Sequence, residues 1–170
     1  MDRLWSPWRM EYIERDRAGG DGCPFCYTRA EAAELPGLVV ATSALAYVIL
    51  NLYPYNGGHL LVVPYRHVGE MLDITPAEFA DITGLLQDCV RGLRKVMNPA
   101  GFNIGLNLGA AGGAGMPDHL HFHVVPRWEG DTNFMPVVGE TKVMPETLEQ
   151  TKARLVEAWQ LQADSRASGE

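Results

Sequence analysis

Asp118-His119-Leu120-His121-Phe122-His123-Val124-Val125-Pro126-Arg127 constrains this chain more than any other stretch. A histidine stands at every second position across five residues, with apolar side chains between them. A period of two belongs to a half-buried strand. It puts His119, His121 and His123 on one face and Leu120, Phe122 and Val124 on the other. Three of the chain's five histidines fall here. Imidazoles brought together in this way need hydrogen-bond partners or chemistry, because each carries a donor and an acceptor.

Two uses are open to such a face. Alternate strand residues lie about 6.5–7 Å apart, so the outer rings start about 13 Å apart, too far to share one ion. The other use divides labour along the row: one end held rigid, the middle ring a nucleophile, the far ring against substrate. A neutral imidazole is a good nucleophile near neutral pH and forms phosphoramidates with phosphoryl centres.

The remaining chain reads as one α+β domain with a mainly antiparallel sheet. Strands are expected over Leu38–Ser43, Ala46–Leu52, His59–Pro64 and Gly101–Gly109, with a turn at Pro54–Gly58. Thr75 is an N-cap, with Pro76 at the first helical position and Glu78 at the third. The helix runs to Met97, where Asn98-Pro99 stops it, with Phe79, Ile82, Leu86, Val90, Leu93 and Val96 at spacings of three and four. Phe134–Met144 could hold a short hairpin, and Pro145–Gln162 reads as a second helix with Leu148, Leu155 and Trp159 on one face. The expected layout is an N-terminal arm over 1–22, a domain over 23–162 and a flexible tail over 163–170.

No run of 18 apolar residues exists, so no membrane-spanning helix is expected, and the N-terminus lacks a signal design. A cytoplasmic location is the default. The net charge of −7 argues against extended nucleic-acid binding, though not against a nucleotide held locally. Cys89 reads as a small buried hydrophobe inside the helix. Cys23-Pro24-Phe25-Cys26 has three readings: a redox pair, half of a metal site, or coincidence. A redox pair should follow a strand and open a helix, whereas this one follows turn residues. A tetrahedral metal site needs two further ligands, and His59, His67 and His119 are the candidates.

His119-Leu120-His121-Phe122-His123-Val124-Val125 resembles the histidine-triad (HIT) motif, His-φ-His-φ-His-φ-φ, in every position. The likeness extends from Cys23 to Arg127. It looks closest to the bacterial branch that cleaves dinucleoside polyphosphates, and more distantly similar to the galactose-1-phosphate uridylyltransferases. The resemblance implies a five-stranded, mainly antiparallel HIT-like fold with one long and one C-terminal helix, and a homodimer with no organic cofactor. It implies a structural zinc on Cys23, Cys26, His67 (in Val63-Pro64-Tyr65-Arg66-His67) and His119. Four protein ligands would leave the ion no open position for water.

The resemblance also distributes the catalytic roles. His121 would attack the α-phosphorus of an adenine dinucleotide in line, giving a nucleotidyl-histidine, with its other nitrogen held by the carbonyl of His119. His123 would bond phosphate and help protonate the leaving group, with His59 near the phosphates or the triad. Asn51 matches a ribose contact, Leu52 a base contact and Asn107 a phosphate contact. Gly113 and Gly115, in the loop Gly109–Met116, would aim backbone N–H groups at an anion. Many relatives carry Ser, Thr or Gln in that loop, and this chain has none from Leu108 to Asp118. That absence weakens a phosphoramidase assignment and leaves hydrolysis against phosphorolysis open. Other readings are a purine nucleoside phosphoramidase, a non-catalytic nucleotide-binding regulator and a zinc metallohydrolase. Arg127 could meet distal phosphates or cap a helix.

Overall fold

Two apolar strands form the centre of the molecule. Ala46–Leu50 (β2) and Leu60–Pro64 (β3) are buried at every position, as expected of strands covered on both faces. They pair antiparallel from Ala46↔Pro64 to Leu50↔Leu60. Val39–Thr42 (β1) flanks β2, and Phe122–Arg127 (β5) flanks β3. Gly101–Leu106 (β4) closes the order β1-β2-β3-β5-β4 as an edge strand, and every pairing is antiparallel. The computed structural model describes residues 22–131 and 145–168. The expected hairpin at Phe134–Met144 and almost all of the N-terminal arm lie outside them.

Because strand side chains alternate, the sheet has two apolar faces. Val40, Val48, Leu50, Leu60, Val62, Phe122 and Val124 pack with Ile82, Leu85, Cys89, Leu93 and Leu155 from the helices. Val39, Tyr47, Ile49, Leu61 and Val63 pack on the other side with Phe25 and Ala32. The helical cover is Pro76–Met97 (α2) and Leu148–Ser168 (α3). A short helix, Arg29–Ala33 (α1), precedes β1. The sequence reading did not anticipate it, although its Thr28-x-x-Glu31 capping box was there to be read: Thr28 Oγ1 accepts from Glu31 N, and Glu31 accepts from Thr28 N.

Helix α2 starts as its sequence dictates. Thr75 Oγ1 accepts from Glu78 N, Glu78 accepts from Thr75 N, Pro76 takes the first helical position, and Asn98 ends the helix in a left-handed conformation. Its buried line is Ile82, Leu85, Cys89 and Leu93, so Phe79 is 41% exposed rather than central. Glu78 is itself buried and takes a bidentate bond from Arg66, whose Nη2 also donates to the Asp73 carbonyl. This cluster fixes the turn after β3 to the start of α2.

Four expectations change. The histidine strand begins at Phe122, not His119, because Leu120 N–H leaves the ladder and donates to the Val68 carbonyl at 2.7 Å. That strand is also not half-buried: His119 and His121 are buried along with Leu120 and Phe122, since the sheet is covered on both faces. The C-terminal helix, expected to end at Gln162, continues to Ser168. The strand expected over Gly101–Gly109 stops at Leu106, where the glycine-rich loop leaves the sheet.

The Arg66 guanidinium holds the Glu78 carboxyl down, from the usual 4.5 to about 2. A depressed carboxyl contributes stability that is complete above its unfolded pKa and disappears as pH falls through the folded one. Glu78→Gln should therefore cost about 1 kcal/mol at neutral pH, a modest value because Arg66 is half exposed. Urea denaturation of the two proteins should show that difference closing between about pH 5 and pH 2.

Candidate functional site

The Cys23-Pro24-Phe25-Cys26 turn, closed by a Cys26 N–H bond to the Cys23 carbonyl, lies on the sheet face opposite α2 and meets His119 and His67. The ligand atoms of Cys23, Cys26, His67 and His119 all lie within 4.8 Å of one another. Cys23 Sγ is 3.3 Å from His119 Nδ1, Cys26 Sγ is 3.2 Å from His67 Nδ1, and Cys26 Sγ is 3.7 Å from His119 Nδ1. Four atoms bonded at about 2.0–2.3 Å to a tetrahedral ion stand about 3.3–3.8 Å apart, so the spacing suits one small cation. His119 Nε2–H donates to the Pro64 carbonyl at 2.9 Å, which turns the lone pair of Nδ1 toward the sulfurs. Burial lowers the His119 pKa and keeps its ring neutral, the form a metal requires. Burial also pushes the Cys23 thiol up to about 11, so the thiolate needs a cation to form here. Two sulfurs and two ring nitrogens make a donor set for a metal of intermediate softness.

His121 follows directly. Its Nδ1–H donates to the His119 backbone carbonyl at 2.8 Å, leaving the lone pair on Nε2. Burial lowers its pKa too, so the ring is neutral and nucleophilic near neutral pH. The His123 ring lies 5.0 Å from it, centroid to centroid.

Behind His123 stands a second set of fixed protons. Tyr55 N–H donates to His59 Nδ1 at 3.0 Å, and the Asn51 amide approaches the same atom at 3.3 Å. A backbone N–H can only donate, so His59 Nδ1 carries a lone pair and its Nε2 carries the proton. That Nε2–H donates to His123 Nδ1 at 3.0 Å, which leaves the His123 proton on Nε2. The three rings thus present a lone pair on His121 beside a donor on His123, the arrangement that in-line attack with leaving-group protonation needs.

With that geometry established, comparison with known proteins decides the family. The HIT domain family matches residues 32–130. A relative named AP-4-A phosphorylase, from Mycobacterium tuberculosis, is 44% identical over 165 residues, covering 94% of this chain and 85% of its own length. This chain belongs to the HIT domain family.

Other HIT relatives are more distant. A Schizosaccharomyces pombe protein named bis(5'-nucleosyl)-tetraphosphatase [asymmetrical] is 34% identical over 87 residues, which is 51% of this chain and 47% of that one. Among solved structures, a zinc-bound histidine triad family protein from Mycobacterium smegmatis superposes with a TM-score of 0.66 at 28% identity, covering 87% of this chain and 99% of that one. A hypothetical histidine triad nucleotide-binding protein from Sulfolobus tokodaii gives 0.65 at 26% identity, covering 82% and 93%. The five-stranded antiparallel sheet is the HIT fold that the sequence implied.

The remaining residues are placed unevenly. Asn51 braces His59, and its Oδ1 accepts from Tyr53 N–H, so its amide is engaged within the protein. Leu52 is 59% exposed, two residues beyond the end of β2. Asn107 donates to the Gly113 carbonyl. The glycine-rich loop closes on itself: Gly112 and Ala114 N–H groups bond the Gly109 carbonyl, and Gly113 N–H bonds the Ala110 carbonyl. Gly113 adopts a left-handed conformation at φ 91°, but its amide serves the turn rather than converging on an anion. Gly115 lies half-buried past that turn, on the approach to His119. Arg127, for which two uses were open, is engaged by described residues near its own strand. It pairs bidentately with Asp131 and donates to Asn103 Oδ1.

Gly69 is a residue the sequence reading missed. A Cβ there would come 2.9 Å from the Pro117 carbonyl oxygen and 3.1 Å from the Asp118 Cα. The His67–Gly69 segment therefore presses on the backbone that leads into His119, and only a bare Cα allows it. The Val68-Gly69 step right after a candidate ligand was the available signal. Gly69→Ala should push these two backbones apart, destabilising the fold by about 1–3 kcal/mol and lowering metal affinity. Thermal unfolding with and without metal, alongside metal content, checks both effects.

Proposed function

We propose that this protein is an enzyme that cleaves dinucleoside polyphosphates, such as diadenosine tetraphosphate, by transferring a nucleotide through His121. The carrying observation is the proton arrangement: His121 Nδ1–H fixed on the His119 carbonyl, beside a His123 whose proton is set on Nε2 by His59. His121 Nε2 bonds to the α-phosphorus as the bond to the leaving polyphosphate oxygen breaks. The departing oxygen takes its proton from His123, a general acid held in place by His59. In the second half, an acceptor attacks the same phosphorus and frees His121. Phosphorolysis is the preferred branch, because a relative named AP-4-A phosphorylase shares 44% identity over 94% of this chain. Orthophosphate as acceptor turns diadenosine tetraphosphate into ATP, released first, and ADP, released second.

Asn51 and Leu52 are proposed to contact ribose and base. Asn107, Gly113 and Gly115 shape the phosphate side, Gly113 as part of the turn's framework. Zinc is proposed as the ion of the Cys23, Cys26, His67 and His119 cluster, where it stabilises the fold and the His119 position without taking part in the reaction. We also place a homodimer at the exposed β4 edge, where Ile104 is 48% exposed and the outer backbone groups of the strand can pair with a second copy. A cytoplasmic location is part of the same proposal, in keeping with the HIT domain match; separately, among the described residues no helix is long and apolar enough to cross a membrane.

Product analysis with diadenosine tetraphosphate tests this reading. ADP and ATP formed only with added phosphate are expected; AMP and ATP formed without it would move the protein to the hydrolase branch. His121→Asn should lose at least about 10³-fold in turnover while still binding AMP. Retained turnover in that variant would refute the proposed intermediate. Removing the ion with a chelator should lower the unfolding temperature and slow the enzyme only as the fold loosens. Complete and immediate inhibition of fully folded protein would point to a metal-activated nucleophile instead.

A further inference from the structure

We propose that Phe25 is a positioning residue for the His121 imidazole, a role that rests on reading His121 as the nucleophile. Phe25 stands between the two cysteines of the metal cluster, yet its ring is aimed past them. It is 9% exposed, lies edge-on to His119 at 5.9 Å, and rests against His121 at 5.0 Å with the planes 40° apart.

A hydrogen bond from Nδ1 to a carbonyl fixes one atom of an imidazole but leaves the ring able to rock about that bond. His123 meets His121 from one side at 62° between ring planes, and Phe25 supplies a second wall. Two walls and one hydrogen bond leave Nε2 a single direction. The phenyl ring is itself held. The Phe25 carbonyl accepts from the buried Tyr47 hydroxyl at 2.8 Å and from Tyr27 N–H at 3.1 Å, while its neighbours Cys23 and Cys26 face His119 and His67. The turn that carries the cysteines therefore also carries the backstop of the nucleophile. In-line attack on phosphorus needs Nε2 aligned within a narrow cone, so slackness in the ring falls on the chemical step rather than on binding.

The test uses Phe25→Ala and Phe25→Leu in the full chain, with zinc content and folding measured alongside kinetics on diadenosine tetraphosphate and phosphate. Phe25→Ala should lower kcat by roughly 10- to 100-fold with KM and zinc content unchanged, and Phe25→Leu should recover most of that loss by refilling the space. Nitrogen-15 spectra of the histidine rings should show a sharp His121 signal in the wild type and in Phe25→Leu, broadened in Phe25→Ala. Wild-type kcat in Phe25→Ala would overturn the proposal. So would joint loss of kcat, KM, zinc and fold in both variants, which would make Phe25 a packing residue only. If trapped nucleotide is found on a residue other than His121, the functional reading falls, while the spectra still report whether Phe25 holds the ring.

Discussion

His119 is the residue on which the rest of the site depends. Its side chain is pinned by Nε2–H to the Pro64 carbonyl, and Nδ1 faces two sulfurs. Its backbone carbonyl then takes the proton of His121 Nδ1. One residue thus joins the end of β3, the N-terminal turn and His121. Each bond removes a freedom from the next, so the orientation of His121 depends in part on groups it does not touch.

The second dependence is on proton placement. Imidazole can serve as donor or acceptor at either nitrogen, and the protein resolves this with groups that have no choice. Tyr55 N–H and the Asn51 amide face His59 Nδ1, and the Pro64 and His119 carbonyls face the protonated nitrogens of His119 and His121. Burial lowers the pKa of His119 and His121, so these rings stay neutral and the tautomers are the relevant states. Packing and electrostatics therefore act toward the same end at His119 and His121, neutral rings with assigned donors and acceptors.

How much of this was legible in the sequence differs by residue. The α2 start was readable because Thr75, Pro76 and Glu78 are a local code whose partners lie within one turn. Burial of β2 was readable because a continuous apolar run has nowhere else to go. The glycine loop was readable as a loop, but the destinations of its amides were not. Gly113 N–H bonds back to Ala110, which depends on the conformation of neighbouring residues rather than on composition. Arg127 was ambiguous because its partners, Asp131 and Asn103, come from a turn and a neighbouring strand. Gly69 passed unnoticed because its constraint is a close approach by Pro117 and Asp118, nearly fifty residues away.

The sequence by itself determined the family, the antiparallel sheet and the identity of the chemical groups. Alternation, capping boxes and ligand types are written residue by residue and need no long-range contact to be read. Tertiary structure decided where the histidine strand starts, since Val68 captures the Leu120 N–H across space. It also decided that both faces of that strand are buried, which nitrogen of each ring carries its proton, and that Phe25 lies against His121. These are matters of angles and separations of a few ångströms between segments far apart in the chain, and only the folded packing sets them.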